Sequence, residues 1–228
     1  MIAIIGAMPQ EVNEIVLLMQ DVMEVNHDGR IFHQGKLNGI EVVVTLSGIG
    51  KVEAAMSTLN VILRFPIDGI VNIGTAGGLN ANQEVLDVVV STQTAYHDFD
   101  LTAFGEPKGL ASSRYVFDAD EKYISAFKEV IGDQRHWIGP IVSGDQFVSD
   151  PQTIEAIKAS FPEAICVEME GAAIAHVAAK HNIPFVILRS LSDIVLHHDN
   201  AMTFEEYLVK ASKRSAQWCY EVMPKIGR

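Results

Sequence analysis

Carboxylates that follow apolar runs are the residues most able to do chemistry in this chain. The run Pro184 to Leu191 finishes in Ser192-Asp193. The stretch Ala164 to Val167 leads into VEMEGAA at 167–173, with Glu168 and Glu170, and Ile2 to Ile5 is followed across Gly6-Ala7-Met8 by Glu11. A charge at the end of a buried strand is costly unless a partner or a ligand uses it. Arg189 is the one cation among these segments. Acids grouped in this way suit proton transfer on a bound molecule, and in open α/β sheets ligands sit outside the carboxyl ends of the strands. Each residue also has a plainer use. Glu11 can oppose a helix dipole, and Asp193 can cap a helix or pair with Arg189. Glu168 and Glu170, two apart and unable to share a helical face, leave room for one to be a solvated cap.

The elements that must position these acids follow from periodicity. Runs rich in Val and Ile predict strands at 2–6, 40–46, 69–73, 86–91, 139–143, 164–168 and 184–191. Helical spacing fits 11–21, 52–64, 121–131, 153–160, 171–180 and 204–223. The alternation predicts an α/β fold, with helices on both faces of a mostly parallel sheet. The segment 93–115, with Tyr96-His97-Asp98 and Thr102-Ala103-Phe104-Gly105, reads as a long loop, and such loops serve as lids or interfaces.

Composition narrows the function classes. With 228 residues, 48% of them hydrophobic, the chain suits one large domain spanning 1–228. A net charge of −12 and the lack of a basic stripe argue against nucleic acid. The start MIAIIGAM lacks a cationic leader, and no stretch approaches the length of a membrane span, so a cytoplasmic location is expected. Cys166 and Cys219 have no metal spacing and read as reduced packing residues. His197-His198-Asp199 could suggest a metal, but adjacent histidines point apart and no third stands at helical spacing, so none is expected. His97, with Asp98 and Asp100, reads as a loop hydrogen-bond cluster.

Three glycine clusters sit near the acids. Ser47-Gly48-Ile49-Gly50-Lys51-Val52 fails the dinucleotide fingerprint at Glu53 and fails as a P-loop at Thr45 and Val52, so phosphates are not expected there. Gly74-Thr75-Ala76-Gly77-Gly78 reads as a turn whose amides or Thr75 hydroxyl can meet a ligand. Ser143-Gly144-Asp145, before Gln146-Phe147-Val148, places an aromatic ring just past a strand end, which suits a flat ligand held by stacking and backbone hydrogen bonds.

Taken in order, GAMPQEV at 6–12, SGIGKVEAA at 47–55, NIGTAGGL at 72–79, YHDFDLTAFG at 96–105, IVSGDQF at 141–147, VEMEGAAIAHV at 167–177 and RSLSD at 189–193 resemble the bacterial 5′-methylthioadenosine/S-adenosylhomocysteine nucleosidases of the nucleoside phosphorylase superfamily. The resemblance covers nearly the whole chain. It implies a three-layer αβα sandwich around a mixed, mostly parallel sheet, a homodimer, no metal or organic cofactor, and small adenine nucleosides as ligands. It also implies hydrolysis of the N-ribosidic bond. That reaction makes an oxocarbenium-like sugar and a poor anionic leaving group, so it needs one acid for the base and another carboxylate for water. By resemblance Asp193, oriented by Ser192, protonates adenine, and Glu11 activates water held by Arg189 and Thr75. Glu170 grips the ribose hydroxyls, Met169 packs on the sugar, Phe147 stacks on adenine, and the Val148 backbone reads its edge. Ala76, Gly77 and Glu168 belong to the same binding region, with the part played by Glu168 left open. Met8, Ile49 and Phe204, with Phe104 from the partner's 96–105 loop, line the 5′ pocket.

The sequence departs from the family's commoner pattern at Pro9-Gln10, at Thr75 where Ser is usual, at Gly171-Ala172, and in a shorter loop after Phe104-Gly105. The alternatives are a nucleosidase for 6-amino-6-deoxyfutalosine or 5′-deoxyadenosine, a phosphorylase, and a nucleoside-binding sensor. A phosphorylase needs cations for its dianion, yet no Lys or Arg precedes Arg30 and none lies between Arg64 and Lys108.

Overall fold

The computed structural model describes residues 1–111, 114–194 and 204–227, with the side chain of Phe204 left out. His197, His198 and Asp199 lie outside the described residues. Among the described residues ten strands form one mixed sheet: β1 (Ile2–Gly6), β2 (Gln20–His27), β3 (Arg30–Leu37), β4 (Ile40–Leu46), β5 (Gly69–Gly78), β6 (Val88–Tyr96), β7 (Val116–Asp118), β8 (His136–Ser143), β9 (Cys166–Glu168) and β10 (Phe185–Ile194). The helices of the described residues flank it: α1 (Pro9–Val16), α2 (Lys51–Arg64), α3 (Glu121–Ile131), α4 (Pro151–Ser160), α5 (Gly171–Lys180) and α6 (Phe204–Ile226). Helix α2 packs on α5, and α6 packs on α1 and α3, so apolar strands such as β1 and β10 are covered on both faces.

The sheet order is β10-β6-β8-β9-β5-β1-β4-β3-β2, and β10 also pairs with β5. Strands β5, β10, β6, β8 and β9 therefore close into a ring. β1 runs parallel between β4 and β5, and β10 runs parallel to β5. These pairings bring the chain after β1, after β4 and along β5 and β10 to one edge.

Several boundaries differ from the periodicity. The first helix ends at Val16 rather than 21, because β2 begins at Gln20 and Asp21 takes a φ of 55°. Apolar Leu17, Leu18 and Met19 continue the helical pattern without continuing the helix. Strands β2, β3 and β7 are absent from the periodic reading. β2 is an exposed edge strand with no buried alternation, and β7 has only three residues. β5 runs on to Gly78, so the Gly74–Gly78 cluster is strand rather than turn, with Gly77 and Gly78 paired to Val167 and Cys166. A Cβ on Gly78 would meet Gln83 Oε1 at 2.6 Å and Ile194 Cδ1 at 2.8 Å, so a side chain fits there only if both give way. β10 likewise runs beyond Leu191 to Ile194, which puts Asp193 inside the strand.

Candidate active site

Asp193 owes its direction to an irregularity. The register of β10 against β5 shifts between Leu191 and Asp193, leaving Ser192 as the extra residue of a bulge, a device that re-aims side chains. Ser192 Oγ donates to Asp193 Oδ1 at 2.6 Å. Burial raises the Asp193 pKa above the ordinary carboxyl value, against the opposing pull of that hydrogen bond. The carboxyl thus keeps its proton to higher pH than a solvated aspartate.

Glu11 sits in the first turn of α1, only 3% exposed. Its Oε2 accepts from the Ala7 and Met8 N–H groups at 2.8 and 2.9 Å, while buried Oε1 has no hydrogen-bond partner among the described residues. Burial lifts its pKa from 4.5 to about 7, offset in part by the Met8 N–H, by Arg189 and by the Ala7 N–H. The helix-dipole use of Glu11 and its place at the site coexist, since it stands in the first turn of α1 and accepts from the Ala7 and Met8 amides just ahead of the helix.

Arg189 lies wholly buried on β10, beside the site's acids. Its Nη2 donates to Glu168 Oε2 at 2.5 Å and to Asn72 Oδ1 at 2.6 Å, and its Nη1 to the Leu188 carbonyl at 3.0 Å. Gly74, opposite it in β5, makes the room, because a Cβ there would lie 3.0 Å from the guanidinium. Glu168 also accepts from Ser143 Oγ and from the Glu170 and Gly171 N–H groups. Burial alone would raise the Glu168 pKa, but Arg189 and these donors hold it below the usual range. Arg189 therefore pairs with Glu168, not with Asp193. Glu170, at the N-terminus of α5, accepts from the Gly50 N–H at 2.8 Å. Its pKa rises to about 7 through burial and then through the charge of Glu168. Neither glutamate is a solvated cap, since both are buried.

These elements wall a cavity of about 280 Å³. Met8, Ile49, Thr75, Ala76, Gly77, Phe147, Val148, Glu168, Met169, Glu170, Ser192 and Asp193 line it, as the sequence places them together; Ala7, Gln146 and Val167 are added. Arg189 and Glu11 are not on the lining surface. Phe147 is 72% exposed in the segment after β8, whereas Val148 is buried. Phe104 is 83% exposed at the end of a 3-10 turn, Thr102–Phe104, and does not line this cavity. Asn72 and Ser143 are the residues that sequence reasoning missed. Both are buried polar side chains on strands, and Asn72 also donates to the Ile5 carbonyl at 2.8 Å. The signal for Asn72 is a polar residue inside an apolar run, and that for Ser143 is its place at the head of the Ser143-Gly144-Asp145 cluster. Among the described residues no group of three or more His, Cys, Asp or Glu is arranged to hold a metal ion. Among the described residues the His97 ring Nε2 has no partner, while Asp98 accepts from Lys51 and the Asp145 N–H, and Asp100 from Thr102 and Lys108.

A ringed mixed sheet with three carboxylates on one cavity and a buried arginine beside them defines a protein of the phosphorylase superfamily, whose sequence pattern matches residues 1–223. The chain is 42% identical to a 5′-methylthioadenosine/S-adenosylhomocysteine nucleosidase of Actinobacillus succinogenes, covering 99% of each. It is 42% identical to one of Colwellia psychrerythraea, covering 98% of this chain and 95% of that one. By these likenesses the chain belongs to the 5′-methylthioadenosine/S-adenosylhomocysteine nucleosidase family. A solved Colwellia psychrerythraea enzyme in complex with adenine superposes with a TM-score of 0.91 at 40% identity, covering 99% of this chain and 95% of that one. The Streptococcus pneumoniae enzyme with the transition-state inhibitor MT-ImmA gives 0.90 at 38% identity, covering 97% of each.

Proposed function

We propose that the protein hydrolyses the N-ribosidic bond of 5′-methylthioadenosine and S-adenosylhomocysteine, releasing adenine and the 5-thio-substituted ribose. The observation that carries this reading is the pairing of two acids of opposite use, Asp193 held towards its protonated form on the cavity wall and Glu11 with an unpartnered buried oxygen beside it. Water adds its oxygen to the anomeric carbon and gives its proton to Glu11. The bond to N9 breaks with its electron pair going to the purine, and the Asp193 proton passes to the imidazole ring of adenine. Both carboxyls regain their starting forms by proton exchange with solvent. Glu170 accepts from the ribose hydroxyls, Phe147 stacks on the base, and Met8 and Ile49 meet the 5′ substituent. Arg189 acts from behind, its positive charge joining the Met8 N–H in favouring ionised Glu11 against burial, and Glu168 on the cavity wall holds Arg189 in place.

Phosphorolysis is disfavoured because, among the described residues, the cavity lining contains no Lys or Arg and presents Glu168, Glu170 and Asp193 to any anion. Arg189 is already engaged by Glu168 and Asn72.

The working form in this reading is a cytoplasmic homodimer. Val52, Met56, Leu59 and Leu63 form an exposed apolar stripe along α2. Ile49 and the protruding Phe104 share this exposed character, which supports a partner's loop completing the 5′ pocket. Among the described residues no helix is long and apolar enough to cross a membrane, and both cysteines are free and buried. Release of 5-methylthioribose would feed methionine salvage.

The test is chromatographic identification of the sugar released from 5′-methylthioadenosine, with and without phosphate, and then from S-adenosylhomocysteine. Free 5-methylthioribose without phosphate is expected. A phosphate requirement with a sugar 1-phosphate product would make it a phosphorylase, and no adenine from either nucleoside would refute the assignment.

A further inference from the structure

The segment that carries Phe147 has no regular structure of its own, lying between the end of β8 at Ser143 and the start of α4 at Pro151. Its place at the cavity depends on Asp145, two residues before the aromatic ring. Asp145 Oδ1 accepts from the Lys51 backbone N–H at 2.7 Å, and the Asp145 N–H donates to Asp98 Oδ2 at 2.9 Å. The Lys51 ammonium closes the triangle, 2.7 Å from both oxygens of Asp98 and 3.7 Å from Asp145 Oδ2. Next to it, the Gly50 N–H donates to Glu170. The N-terminus of α2, whose leading amides have no acceptor within the helix, is thus met by one carboxylate from the sugar side of the cavity and one from the base side. The dipole of the helix favours both. The geometry is tight: Gly50 takes a φ of 92°, and a Cβ there would lie 3.1 Å from Asp145 Oδ1.

We propose that Lys51, acting with Asp98 through Asp145, is a positioning residue that holds the Phe147–Val148 segment at the cavity and sets affinity for the purine. The proposal rests on the reading of the cavity as an adenine nucleoside site. Removing the ammonium leaves two carboxylates, Asp98 and Asp145, facing each other with only the backbone bonds to hold them, so the base-side segment loses its anchor while the acids of the reaction keep theirs. Burial would raise the proton affinity of Asp98, but the Lys51 bond and the Asp145 N–H outweigh it, so this carboxyl stays ionised below the usual carboxylate range. The same residue opens the loop that ends in Phe104, so one ammonium ties the base-side segment to the proposed partner-facing loop.

The experiment is a double-mutant cycle of Lys51→Met and Phe147→Ala, read by calorimetric binding of adenine and by kcat and KM for 5′-methylthioadenosine. Lys51→Met is expected to weaken adenine about tenfold, the size of one lost charge-assisted hydrogen bond, and to raise KM far more than it lowers kcat. Lys51→Arg, which can still reach Asp98, should restore most of the affinity. In the Phe147→Ala background the effect of Lys51→Met should shrink to less than about twofold, the coupling expected of residues that act through one another. Unchanged adenine affinity in Lys51→Met, an equal loss in both backgrounds, or a fall in kcat matching the fall in kcat/KM would each overturn the proposal. A wild-type chain that binds adenine yet cleaves neither nucleoside would refute the functional reading alone, leaving the cycle on adenine binding to decide this one.

Discussion

Glu11→Gln keeps the shape of the side chain and its two backbone contacts, because the amide oxygen can accept from Ala7 and Met8 as Oε2 does. What it removes is a titration. Folded Glu11 titrates near 7, against 4.5 in ordinary surroundings, so between those values the folded chain holds a proton that the unfolded chain has released. Stability of the native enzyme therefore falls as pH rises through that window and is level above it. At roughly 1.4 kcal/mol for each tenfold change in proton affinity, the loss amounts to about 3 kcal/mol. The Gln variant has no such proton to lose, and taking away the Glu11 charge also relieves Glu170, whose pKa it helps to raise. At pH 8.5 the variant should thus be more stable by about 3 kcal/mol, or roughly 6–12 °C in melting temperature for a chain of this size, with most of the gap closing by pH 5. Urea unfolding at both pH values and at matched protein concentration measures it. Adenine release by the same variant should drop by at least about 100-fold. Equal stability at pH 8.5, or a gap that does not change with pH, would refute the account of Glu11 as a base kept ready at the expense of the fold.

Asp193→Asn preserves shape but cannot donate the proton, so turnover should fall by at least about 100-fold; near-normal turnover would remove Asp193 from the mechanism. Glu168→Gln leaves the Arg189 charge buried without its counter-ion and should destabilise the chain by about 3–5 kcal/mol, measured by denaturant midpoint; a loss below about 1 kcal/mol would show that Asn72 and the Leu188 carbonyl suffice. Mixed dimers with Phe104→Ala on one chain and Glu11→Gln on the other should retain one working site, since one pocket then combines an intact Glu11 with an intact partner Phe104. Complete inactivity of such mixtures would count against a shared site.

The acids were legible in the sequence because burying charge at strand ends is costly, and Glu11, Glu168, Glu170 and Asp193 do converge. Their division of labour was not. Which acid takes Arg189 depends on which side chains of β9 and β10 face inward, a matter of the bulge at Ser192 and of the register that sets Arg189 against Gly74. The buried strands β1, β4 and β10 were found from their unbroken apolar runs. The hairpin β2–β3 was not, because its edge strand has little buried surface to pattern it. Its turn was nevertheless written in Asp28-Gly29, where φ values of 54° and 83° match the paired left-handed residues that such dipeptides favour. Asn38-Gly39, at 48° and 81°, marks the next turn in the same way. Together the two dipeptides bound β3 on either side and place β2 ahead of it.

The closed ring of strands decides where this protein can yield to a ligand. Thr75, Glu168 and Asp193 stand on three of its members, β5, β9 and β10, and each of these pairs on both sides within the sheet. Displacing any of these strands as a whole would break at least two ladders at once, so the wall that carries the acids is stiff. Adjustment to a substrate's bulk then falls to the linking segments 47–50 and 144–150. Amide hydrogen exchange should register occupancy of the cavity there, as slowing in the rims, while the strands beneath exchange at one unaltered, slow rate whether the site is filled or empty.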